Sequence, residues 1–110
     1  MAYDEKLADR IRKLLKKKKE IIEKEMFGGI AFLLKGKMFC GVIKNDLVIR
    51  TGKEHYEKAL TKPYTRPMDF TGRAMKGFVY VSPRGYKTEK ILSQWVNLSI
   101  ENVASLGKPI

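Results

Sequence analysis

The chain has 110 residues, of which 23 are basic and 12 acidic, giving a formal net charge of +11. That length suffices for one domain, residues 1–110, burying roughly 65% of the surface its unfolded form would expose, without a disulfide or metal to hold it. A single cysteine, Cys40, and a single histidine, His55, exclude an intramolecular disulfide and a multi-cysteine zinc site; they fit a reducing, cytoplasmic setting with no metal and no cofactor.

No stretch approaches the roughly 18 to 20 apolar residues of a membrane span, and the first residues lack the basic-then-apolar order of a signal peptide. The protein is expected to be soluble, with no membrane partner. Its charge implies attraction to polyanions or to acidic proteins and says nothing about fold.

In chain order, Leu7, Ile11, Leu14, Leu15 and Ile22 recur near the helical period, with Asp4 as N-cap, and predict an amphipathic first helix. Its far end carries Arg10, Arg12, Lys13 and then Lys16, Lys17, Lys18 and Lys19, which suits the negative end of the helix dipole although neighbouring lysines repel. Ile21 and Ile22 mark the return to the core. After Gly28-Gly29, three short apolar runs, residues 30–34, 38–43 and 47–50, are separated by Lys35-Gly36-Lys37 and Asn45-Asp46 and predict an antiparallel meander. Strict alternation in the second puts Met38, Cys40 and Val42 on one face and Phe39, Gly41 and Ile43 on the other, so both faces are apolar.

Residues 54–60 predict a short helix with Tyr56, Ala59 and Leu60 inward, and residues 61–67, with two prolines, a loop. A brief strand over 68–70, a turn over 71–73 and a longer strand over 74–82 follow. The last helix begins near Thr88, its N-cap, and carries Leu92, Trp95, Val96, Ser99 and Val103 on one stripe to about residue 106. The expected fold is α+β, a two-layer sandwich in the order α-β-β-β-α-β-β-α with a mainly antiparallel sheet.

The blocks Met26-Phe27-Gly28-Gly29, Gly36-Lys37-Met38-Phe39-Cys40, Arg66-Pro67-Met68-Asp69-Phe70-Thr71-Gly72-Arg73 with Met75-Lys76-Gly77-Phe78, and Trp95-Val96 resemble the N-terminal domain of the TfoX (Sxy) family over nearly the whole chain. The resemblance implies the same element order, in the arrangement also seen in type III secretion chaperones. Full-length members are regulators of natural competence and carry a second, helical domain. For a stand-alone first domain the resemblance implies the fold and leaves the activity open.

Two groups of basic residues are the candidate sites. Lys13 and Lys16 to Lys19 form a stripe able to neutralise phosphates, the alternative being a solvated helix end. Arg66, Arg73, Lys76 and Arg84 lie in or beside glycine-containing turns, where backbone N–H groups can approach an anion, although Gly72 and Gly77 are explained as well by turn geometry. Neither glycine block has phosphate-loop spacing.

Cys40, His55 and Asp69 supply the residue types of a cysteine triad, yet each has a simpler structural role, so no catalytic residue is assigned. Phe27, Phe32, Phe39, Phe78, Tyr80 and Trp95 could stack bases but read mainly as core, with sheet-face members such as Phe39 or Tyr80 the ones to test. The expected function is that of a non-enzymatic regulatory or adaptor domain binding a protein partner. A homodimer through the second sheet face is the main expectation for assembly, and direct nucleic-acid binding through the basic stripe is the alternative.

Overall fold

The structure is a computed structural model that describes residues 3–16, 20–26, 28–70 and 73–106. Among them are three α-helices and one six-stranded sheet: α1 (Glu5–Leu14), β1 (Ile21–Met26), β2 (Gly29–Leu34), β3 (Lys37–Ile43), β4 (Asp46–Arg50), α2 (Gly52–Leu60), β5 (Thr65–Phe70), β6 (Arg73–Val81), a 3-10 turn (Pro83–Tyr86) and α3 (Glu89–Leu106). The sheet order is β1-β2-β3-β4-β6-β5, and every neighbouring pair is antiparallel. The α+β class and the expected succession of elements hold, with one further strand, β1, at the start of the meander.

Both predicted N-caps form. Asp4 Oδ1 accepts from the backbone N–H of Lys6 at 2.9 Å and of Leu7 at 3.3 Å. Thr88 Oγ1 accepts from the N–H of Ile91 at 3.2 Å. Each satisfies donors that the first turn of a helix otherwise leaves unpaired.

α1 stops at Leu14, before the lysine run expected to prolong it, and Lys16 lies in the turn that follows. Lys17, Lys18 and Lys19 lie outside the described residues, and the β-branched pair Ile21-Ile22 favours the extended chain of β1. In β1, Ile21 lies opposite Leu34 and packs toward the core, while Ile22 lies opposite Leu33 and points away, 61% exposed.

All three helices cover one face of the sheet. Leu7 and Ile11 of α1, Ala59 of α2, and Leu92, Trp95 and Val96 of α3 share one core with Phe32 of β2, Val42 of β3 and Ile49 of β4. Fully buried side chains of this size each contribute roughly 1.5–3 kcal/mol, which makes this layer contact the main source of stability.

The alternation expected in β3 is corrected by a β-bulge. Phe32 pairs with Cys40 but Leu33 pairs with Met38, which leaves Phe39 as the extra residue. Phe39 therefore joins Cys40 and Val42 in the core at 0% exposure, while Met38 turns to the outer face, its terminal methyl beside Gly41.

The outer face is crossed by a row of register partners: Lys24, Ala31, Gly41, Val48, Tyr80 and Arg66. Both sheet edges resist further strand pairing. β1 presents Glu23, Lys24 and Glu25, all exposed, and β5 carries Pro67.

The first glycine pair divides its work. Gly28 turns the chain with φ +76° and has open space around it, whereas a Cβ on Gly29 would overlap the carbonyl oxygen of Val42. Gly77, with φ +98°, bends β6 so that its carbonyl accepts from Thr51 N–H at 2.7 Å; Gly72 lies outside the described residues.

Candidate functional site

The basic residues predicted as sites do not form one surface. On α1 the arginines have structural partners: Arg12 bridges Asp9 and, at 2.8 Å, Glu23 of β1. These carboxylates, Glu23 foremost, hold its guanidinium more firmly charged. Arg10 pairs with Glu89 at 2.7 Å, donates to the carbonyl of Tyr86 at 2.9 Å and lies over the Tyr86 ring. Lys13 and Lys16 are exposed and enter no ion pair among the described residues; Lys17, Lys18 and Lys19 lie outside them.

The second group separates as well. Arg66 lies on the outer sheet face, stacked over the Tyr80 ring at 4.7 Å and paired with Asp46. Arg84 sits on the 3-10 turn beside α3. For Arg73 and Lys76 the structure describes the backbone within β6, and their side chains lie outside it.

Cys40 is 0% exposed beneath the helices, and burial pushes its thiol pKa up, so the reactive thiolate is suppressed and no substrate reaches it. His55 is exposed on α2, so the two do not form a nucleophile and its base. The Asp69 side chain lies outside the described residues. No cluster of three or more metal-ligating residues occurs among the described residues. Of the proposed stacking aromatics, Phe39 is in the core and Tyr80 is half-buried under Arg66.

A groove of about 380 Å³ lies between α3, the loop before β5 and the 3-10 turn. Trp95 and Gly85 form its floor, with the indole Nε1 donating to the Gly85 carbonyl at 3.2 Å. Tyr64, Pro63, Ile91 and Leu98 supply apolar walls, and Lys62, Arg84 and Gln94 are the polar members of its lining. Of the three large hydrophobic residues exposed among the described residues, Tyr64 (49%) and Ile91 (39%) both belong to this groove.

Local structure fixes the groove. Tyr64 has φ +66°, a left-handed conformation costly for a side chain of its size. It is held there because its carbonyl accepts from Ser82 N–H at 2.8 Å and because Thr65 Oγ1 donates to Lys62 O at 2.7 Å. Gly85 is needed for close approach: a Cβ there would lie 2.6 Å from Val81 Cγ1 and 3.1 Å from Tyr64 Cβ.

Of these residues, sequence reasoning placed Arg84 among the basic site candidates and weighed Trp95 only as a base-stacking aromatic more simply explained as core. The missed signal is in α3, where Ile91, Trp95 and Leu98 make a second apolar stripe beside the buried one, too wide for a helix with a single covered face.

The family model of the TfoX N-terminal domain matches residues 13–103. The chain belongs to this family. The matched span contains every groove residue and all six strands, and membership makes this a competence-regulator-like domain in a family not known as enzymatic. No curated protein matches the chain. No helix among the described residues is long and apolar enough to cross a membrane.

Proposed function

We propose that this TfoX N-terminal domain is a non-enzymatic, cytoplasmic regulatory or adaptor module, a single unit over residues 1–110, and that it assembles through its outer sheet face with a second copy of itself. The observation that carries this reading is the composition of that face. Ile22 is exposed and Leu33, Met38, Ile43 and Phe78 are half-buried. Its arginines are already accommodated: Arg66 by Asp46 and Tyr80, Arg50 by the Met38 carbonyl at 3.2 Å and by the Phe78 ring at 5.5 Å. With its apolar members and with Arg66 paired to Asp46, this face sets less like charge against a second copy than the net charge of +11 by itself implies. The blocked edges favour association face to face over strand addition.

Sedimentation velocity should show a dimer at tens of micromolar, reduced at least tenfold in association constant by Ile22→Asp with Leu33→Asp. A monomer persisting to high micromolar concentration would remove self-association through this face.

The alternative reading, direct nucleic-acid binding through Lys13 and Lys16 to Lys19 with Arg66, Arg73, Lys76 and Arg84 in support, rests on the net charge and on the exposure of Lys13 and Lys16. Four to six phosphate contacts require a log–log salt slope of about −4 to −5 on duplex DNA. Neutralising Lys16 to Lys19 should then weaken binding; a flat salt response counts against the stripe.

A further inference from the structure

We infer that the groove over Trp95 is a binding site for a short acidic peptide segment carrying a bulky apolar side chain, with Lys62 and Arg84 receiving its carboxylates. The inference rests on the adaptor reading for its choice of a protein ligand, but it concerns a different surface from the proposed dimer face.

Three observations meet at this place. First, Tyr64 and Ile91 are two of the three exposed large hydrophobic residues described in the chain, and both face one cavity of about 380 Å³. That volume is near the lower end of the range of about 300–1,000 Å³ found for ligand pockets, which gives room for a side chain or two and not for a folded domain. Second, the lining contains no acidic residue, while Lys62 and Arg84 are exposed and enter no ion pair among the described residues. By contrast, Arg10, Arg12 and Arg66 are each paired with a carboxylate. An apolar floor with two uncompensated cations on its lip is complementary to an amphipathic anion. Third, Tyr64 is kept in a strained backbone conformation that sets its ring on the wall, the kind of outlier that gathers at ligand clamps.

Gln94 selects among amphipathic anions. Exposed on the same lining, its carboxamide offers both a donor and an acceptor, the pair that a peptide backbone matches and a simple carboxylate or phosphate does not. The apolar wall gives affinity through a buried aromatic or aliphatic anchor, and the cations set the sign of the flanking charge.

Trp95 is the only tryptophan of the chain and lies in the floor of the groove, so its emission reports occupancy directly. The probe is a capped peptide with a central leucine-phenylalanine pair flanked on each side by two glutamates. The controls are the same peptide with lysines in place of the glutamates, and sodium acetate at matched carboxylate concentration.

The expected result is a saturable change in Trp95 emission with the acidic peptide, absent with the lysine peptide and with acetate. The Lys62→Glu, Arg84→Glu double variant, checked for folding by circular dichroism, should lower the affinity at least tenfold, and Ile22→Asp should leave it unchanged. No saturable response to millimolar peptide, or an equal response to the lysine peptide, overturns the inference. An equal response to acetate makes the groove a small-anion site and overturns it too, as does a response that survives the double charge reversal. None of these outcomes bears on the sedimentation test of the dimer, so the two readings fail separately.

Discussion

Tyr64 and Gly29 show how single residues reveal what a position is for. Tyr64 holds φ +66° and is 49% exposed, so it combines backbone strain of order 1–2 kcal/mol with little burial to offset it. Tyr64→Gly should change the unfolding free energy in urea by no more than about 1 kcal/mol, because relief of strain opposes the loss of contacts and the entropy that glycine adds to the unfolded chain. Groove binding should nevertheless be lost; a large loss of stability would instead make Tyr64 a structural residue.

At the first glycine pair, Gly28→Ala meets only a conformational penalty of about 1–2 kcal/mol, since nothing lies near its absent Cβ. Gly29→Ala drives a methyl into the Val42 carbonyl oxygen and should reach or exceed the roughly 1–3 kcal/mol typical of overpacking, because a paired backbone yields less readily than a side chain. Equal midpoint shifts for the two variants in denaturant would contradict this division. The sequence made both glycines conspicuous; which one turns the chain and which one admits a neighbouring strand depends on contacts that no local pattern contains.

Helices are held by local and by distant means, and the two differ in how well they can be read. The Asp4 and Thr88 caps were legible because a side-chain acceptor and the donors it satisfies lie within three residues of one another. Asp4→Ala should cost about 1 kcal/mol, measured by thermal or chemical unfolding, and no change would mean that the α1 terminus is held by packing alone. The Leu92, Trp95, Val96, Ser99 and Val103 stripe of α3 was legible for a related reason: helical period and burial coincide in it.

β1 was not legible as a strand. Its position facing the helix layer beyond Ile21 is taken by Glu23, which meets Arg12 of α1. An edge strand with an inward-facing charge loses the alternation by which strands are recognised. The bulge at Phe39 escaped for a similar reason. Met38 to Ile43 is apolar on both sides of the sheet, so the pattern could not show where one residue was added.

Across the whole molecule, Tyr86 joins parts of the chain far apart in sequence. Its hydroxyl donates to the Asn45 carbonyl at 2.6 Å in the β3–β4 turn, and its ring lies under Arg10 of α1. Burial first, then Asp4 and Asp46, push the phenol from an ordinary 10 up to about 12, against the opposing pull of Arg10. Because the folded value lies above the unfolded one, the fold favours the neutral phenol. The stability this contributes is fully present below pH 10 and is lost as pH rises toward 12. Denaturant midpoints should therefore fall through that window. Tyr86→Phe should flatten the fall while lowering stability at neutral pH through loss of the hydrogen bond, and an unchanged alkaline slope would assign the effect to other groups.

The family, the α+β class and most of the elements follow from sequence, because they depend on residue order, glycine placement and hydrophobic period, which are local. Only the tertiary structure decided what the charged and apolar surfaces can do. It paired Arg10, Arg12 and Arg66 with carboxylates, took Phe39 and Cys40 out of reach, and separated Arg66 from the groove that Arg84 shares with Lys62. The groove itself joins the loop before β5, the 3-10 turn and α3. A surface made from segments distant in the chain has no spacing to read; it exists only once the sheet has set those segments side by side.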